Sequence, residues 1–160
     1  MRRRAATVAV AVATVLAVAP SAPADAGFRE SRAWRGVRTA VNLPVTVAAY
    51  AVAVAAGASC SWDGREWVLV CARPRAALYG GGGTMYGGTF VTPAARPGAC
   101  LLRHEARHAD QYLLGLGDPT RFWLAYAVAE ATRAATGGFN AFERDAGLDS
   151  GGYAGGAPRC

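Results

Sequence analysis

The chain reads as an α+β protein, and three features of the sequence predict this. A strand-like half precedes a helical half, the order expected when sheet and helices are segregated. The strand half centres on "CSWDGREWVLVC", where Asp63-Gly64 separates two short β-prone runs, and on the glycine-punctuated "GTMYGGTFVT". The helical half holds three stretches divided by helix stop and start signals.

The N-terminus predicts export. Arg2-Arg3-Arg4 is followed by an uncharged Ala/Val run from Ala5 to Ala19, then by Ala24-Asp25-Ala26, small residues at the positions a signal peptidase reads. Residues 1–26 are therefore expected to be a signal peptide cleaved after Ala26, with an uncleaved anchor as the alternative. The remaining 134 residues suffice for one hydrophobic core. Their balance is 14 Arg against 10 acidic residues, +4 rather than the +6 of the whole chain. The arginines are scattered, which argues against nucleic acid as a partner and leaves room for attraction to an acidic membrane or cell-wall surface. Cys60, Cys71, Cys100 and Cys160 make an even number in an exported chain, so two disulfides are expected in a secreted or cell-envelope setting. No C-x-x-C spacing points to an iron–sulfur site. Cys60 and Cys71 are the closest pair in sequence, but a two-residue turn at Asp63-Gly64 would set Cys60 opposite Trp67 instead.

Residues 27–58 form an N-terminal segment. Residues 27–36 are polar and read as extended or frayed. From Thr39 to Ala58 the chain is almost wholly apolar, and Pro44 suits a first helical turn. With no polar face visible, this helix is either buried on all sides or lies in a membrane; its Ala/Val composition favours burial. Residues 59–150 then form the main domain. Its sheet is expected to be short and antiparallel, with strands at Thr84–Tyr86 and Thr89–Thr92 joined by Gly87-Gly88. "GTFVT" would suit an edge strand receiving an extended peptide, or an ordinary hairpin. The glycine-rich stretch before it lacks the order of a phosphate-binding loop.

A helix is expected from Ala99 to Leu114, ending at Gly115 or Gly117. A second starts at the Asp118-Pro119 cap and runs to Thr136, before Gly137-Gly138. Asn140 opens a third, short one, and residues 151–160 are a glycine-rich tail.

The first of these helices carries His104-Glu105-Ala106-Arg107-His108, which includes both histidines of the chain. At roughly 100° per residue the imidazoles lie about 40° apart, one turn from each other, placed to bind one ion. Leu102, Ala106, Ala109 and Leu113 form an apolar stripe on the opposite side, and Arg103, Arg107 and Asp110 a charged side. By this reading the helix packs through one face and the histidines are off it. Imidazoles at i and i+4 supply two ligands for Zn²⁺, and the intervening Glu105 stands where a general base is needed. A third ligand must be a carboxylate, because no histidine remains. Glu130 and Glu143 compete: Glu130 has Arg133 as an i,i+3 partner, and Glu143 stands at the N3 position of a capping box opened by Asn140.

"HEARHADQY" followed by "NAFERDAGL" resembles the HExxH zincin metallopeptidases of the glutamate-ligand branch, and is similar to small secreted HExxH proteins of high-G+C bacteria. The absence of an H-x-x-G-x-x-H extension sets metzincins aside. Glu143-Arg144-Asp145-Ala146 matches the E-x-x-A pattern, so the resemblance implies Glu143 rather than Glu130 as third ligand. It also implies a zincin-like fold, zinc-dependent peptide hydrolysis and a peptide or protein substrate. Gln111 is expected to orient a ligand from behind, and Tyr86, Tyr112 or Tyr153 to serve as oxyanion donor. The competing readings are a disulfide-stapled envelope protein without activity and a membrane-associated protease.

Overall fold

The computed structural model describes residues 26–148; the expected signal peptide and the glycine-rich tail fall outside that range except for Ala26. It is α+β. Two N-terminal helices, α1 (Ala26–Glu30) and α2 (Arg32–Ala55), precede strands β1 (Ser59–Asp63), β2 (Val68–Ala72), β3 (Thr84–Tyr86) and β4 (Thr89–Thr92). Helices α3 (Ala99–Leu114), α4 (Pro119–Thr136) and α5 (Ala141–Asp145) follow. The sheet order is β1-β2-β4-β3.

The sheet is mixed, not antiparallel throughout. β1–β2 and β3–β4 are antiparallel, whereas β2 and β4 run parallel. The cause is the long connection after β2. It carries the chain past the position of β4 to the far edge, and the Gly87-Gly88 turn brings β4 back between its neighbours. "GTFVT" is therefore an interior strand whose four residues Thr89–Thr92 are all buried, and the expected peptide-receiving edge is not there. Gly87, at φ +61°, sits where a Cβ would meet Val45 Cβ and the Thr46 backbone nitrogen at 3.1 Å, so the turn needs glycine in order to lie against α2.

In the first hairpin Asp63 pairs with Val68, leaving Gly64–Trp67 as a four-residue loop. Asp63 Oδ1 accepts from the backbone nitrogens of Arg65 (3.1 Å) and Glu66 (2.7 Å), an Asx turn that displaces the expected two-residue turn. The register then puts Cys60 opposite Cys71, and the two are joined. Among the described residues no cysteine is free.

Residues 27–36 are helical instead of extended. Ser31 caps α2 by accepting from Trp34 N at 3.2 Å, and Trp34 Nε1 donates to Asp110 at 2.9 Å. Because the helix starts this early, Pro44 lies in its interior. Nor is α2 buried on all sides. Its covered residues are Arg38, Asn42, Thr46 and Ala53, and the rest of the helix is largely exposed. Arg38, Asn42 and Thr46 are each four apart and so share one face. Through it α2 grips α3: Arg38 pairs with Asp110 at 3.1 Å and donates to Ala106 O, and Asn42 Nδ2 donates to Ala109 O at 2.8 Å. Thr46 binds the β3–β4 turn, accepting from Gly88 N at 2.7 Å.

Two apolar clusters hold the sheet. On one face Val68, Val70, Met85 and Phe90 pack against Ala106 and Ala109 of α3. Cys71 and Val91, pointing the other way along the pleat, meet Ala53 of α2.

Candidate metal centre

The ends of α3, α4 and α5 fall where the sequence puts them. Gly98 and Gly115 bound α3, Asp118 caps α4 by accepting from Thr120 N, and Gly137 closes it in the left-handed conformation. Asn140 caps α5 by accepting from Phe142 N.

The histidine face of α3 is not at the surface. His104, Glu105 and His108 are 1, 2 and 6 % exposed, because α4 and α5 cover that side while α2 and the sheet cover the others. An aromatic group fastens the cover. Tyr112 stacks on Phe122 at 4.0 Å, and Phe142 sits 5.8 Å from both Phe122 and Tyr126. The one-sided packing expected of α3 is thus incorrect, and Asp110 of its charged side is buried against Arg38.

Within this enclosure His104, His108 and Glu143 converge. The two Nε2 atoms are 3.1 Å apart; Glu143 Oε2 lies 3.3 Å from His104 Nε2, and Oε1 lies 3.5 Å from His108 Nε2. One ligand atom from each of the three lies within 4.8 Å of the others, a buried group that could hold a metal ion. The far ring nitrogens are already committed. His104 Nδ1–H donates to Ala146 O at 3.0 Å and His108 Nδ1–H to Gln111 Oε1 at 2.7 Å. Gln111 is itself oriented, since its Nε2 donates to Phe142 O (2.8 Å) and Asp145 Oδ2 (3.1 Å). With both Nδ1 atoms protonated, both Nε2 lone pairs face a carboxylate. Glu143 Oε2 is buried and makes no hydrogen bond. Two imidazole nitrogens and a carboxylate turned on one point favour positive charge between them, and this donor set could hold a metal ion.

The titration behaviour has the same cause. Burial alone would raise the Glu143 pKa, but the two imidazoles, joined by Tyr126, hold it well below the usual carboxylate range. Burial pushes His108 down, and the Glu143 and Glu105 carboxylates more than reverse this, so its pKa is raised. Glu105 is raised by burial, against the pull of His108 and His104 and with a contribution from Glu143.

Glu130 is elsewhere. It binds Arg133 at 2.9 Å and accepts from Asn140 Nδ2 at 3.0 Å. It thereby steadies the residue that caps α5, and so supports Glu143 without joining it. The capping box is half made: Asn140 caps, while the Glu143 side chain turns inward to the histidines. Of the expected oxyanion donors, Tyr112 is buried with its hydroxyl donating to Met85 O at 3.3 Å, and Tyr86 donates to Leu78 O at 2.8 Å. Tyr153 lies outside the described residues. The tyrosine at the site is Tyr126, whose hydroxyl donates to Glu143 Oε1 and whose ring is 6.2 Å from that of His108. Its four-residue spacing from Phe122 on the helix after the motif was the available signal.

No protein-family profile, curated protein or solved structure matches this chain. The site's chemistry rests on its own residues.

Proposed function

We propose that the protein is a zinc-dependent hydrolase of peptide bonds, with a zincin-like domain acting outside the cytoplasm. The observation that carries this reading is the convergence of two Nδ1-committed imidazoles and Glu143, with Glu105 alongside. His104, His108 and Glu143 would hold the ion. Bound zinc would supply Lewis acidity, polarising the scissile carbonyl and easing the ionisation of water. Glu105 takes the proton of the attacking water and returns it to the leaving amine. Tyr126 steadies Glu143 through its hydroxyl. The Cys60–Cys71 disulfide fits an oxidising compartment.

The test is elemental mass spectrometry of the purified secreted form, together with a peptide-library digest. Near-stoichiometric zinc and cleavage that stops with chelator and returns with Zn²⁺ support the reading. Absence of any bound divalent metal overturns it.

A further inference from the structure

Helix α2 is polar inside and apolar outside, the reverse of a helix on a soluble domain. Its inward residues Arg38, Asn42 and Thr46 are buried in bonds to α3 and the β3–β4 turn. Outward, Val37, Leu43, Val47, Tyr50, Val52 and Val54 are between 41 and 55 % exposed. By length and a mean hydropathy of 1.4 the helix could cross a membrane. From Val37 to Ala55 the outward side runs roughly 28 Å without a charge, a longer apolar face than a soluble monomer normally leaves bare.

The ends of this face say what covers it. No acidic residue occurs between Ser31 and Trp62, and exposed Arg32 stands at the N-terminal end of the face. Arg35, on the inward side with Arg38 and Asn42, donates to the Arg65 carbonyl of the first hairpin, which brings exposed Arg65 and the half-exposed Trp62 beside that end. Of the nearby carboxylates, Asp63 is engaged by its own turn, Glu66 lies 4.0 Å from Arg103, and exposed Glu30 borders the cleft lined by Arg29, Arg35 and Arg38. Tyr50 lies toward the other end. Basic and aromatic groups flanking an uncharged apolar face match an anionic bilayer surface, headgroups to arginines and acyl chains to valines.

We propose that the outward face of α2 seats the protein on an anionic phospholipid bilayer, with the helix lying in the membrane plane. A spanning pose conflicts with the fold. α2 is bonded along its length to α3 and the sheet, so crossing the bilayer would carry the buried Arg38–Asp110 pair and the sheet into hydrocarbon. His104 and His108 project from α3 on the side away from Ala109 and Asp110, which α2 grips. The docked molecule therefore keeps its metal centre turned from the lipid. This inference stands independently of the hydrolase reading.

The experiment uses the secreted form, its N-terminus read by mass spectrometry. It is sedimented with vesicles of phosphatidylcholine alone and of phosphatidylcholine containing phosphatidylglycerol. The protein is expected to bind the anionic vesicles, and to bind less to neutral ones and at raised salt. Leu43→Asp with Val47→Asp, both on the outward face, should lower the bound fraction by roughly tenfold or more. Far-UV circular dichroism serves as the check of folding, and Tyr50→Ala is the milder variant, expected to weaken binding in the same direction. Wild-type protein left in the supernatant with both vesicle types overturns the proposal. So does a wild-type dimer that the double variant turns into a monomer, because a second copy would then be the occupant.

Discussion

Glu143 and Glu130 stand on neighbouring elements and do different things. Glu143 faces two imidazoles, whereas Glu130 faces Arg133 and the cap residue Asn140. Glu143→Ala should therefore strip bound metal. Glu130→Ala should leave it in place and cost about 1 kcal/mol through a loosened cap. Elemental analysis of the two variants checks this, and metal loss confined to Glu130→Ala would reverse the assignment. Gln111 makes a related prediction. Its amide holds His108 in the tautomer that presents Nε2, and donates to Phe142 O and Asp145. Gln111→Glu keeps the shape but sets an acceptor against both. Metal affinity should fall roughly 10- to 100-fold in competition with a chromophoric chelator. An unchanged affinity would make Gln111 a packing residue only.

The three C-terminal helices were legible because their ends are local chemistry. Gly115, Asp118-Pro119, Gly137 and Asn140 act within a turn of themselves. The sheet was legible as strands but not as a topology, since the parallel β2–β4 pairing depends on where a long loop travels. The first hairpin shows the same limit on a smaller scale: Asp63 bonds its own loop and lengthens the turn, and that moves the register by enough to join Cys60 to Cys71. In α2 the information was present. Arg38, Asn42 and Thr46 recur every four residues and form one stripe, hidden in the sequence by the apolar residues around it. What they bind, the middle of α3, belongs to tertiary structure. The Arg38–Asp110 pair has both side chains 4 % exposed. Asp110→Ala would leave the guanidinium buried without its counter-charge, at a cost of about 3–5 kcal/mol in urea denaturation. A loss below about 1 kcal/mol would mean that Arg38 is adequately held by the Ala106 and Trp67 carbonyls.

At the scale of the whole molecule, the motif helix is the centre of the fold, with the sheet and α2 behind it and the candidate metal site under α4 and α5. That burial is what the motif alone could not convey. The spacing of His104 and His108 indicated a shared ion, but it gave no sign that the histidine face is enclosed or that Tyr126 reaches Glu143. Neither apolar cluster nor the Cys60–Cys71 disulfide includes His104, His108 or Glu143. The metal-free protein should therefore stay folded by far-UV circular dichroism while unfolding at lower denaturant, in contrast to a domain that metal alone folds. Titration of the denatured secreted form should find close to no free thiol, and four free thiols would contradict the oxidising compartment. The central claim is that the site is catalytic and that Glu105 is its base, and it is tested most directly by Glu105→Gln beside His104→Ala. Glu105→Gln keeps the size and removes the basicity. It should retain zinc and fold while cutting peptide hydrolysis by roughly 10²-fold or more. His104→Ala should lose zinc and activity together. Hydrolysis undiminished in Glu105→Gln, or a zinc-loaded wild type that cleaves nothing in a broad peptide library, would contradict the account and leave a metal-binding envelope protein in its place.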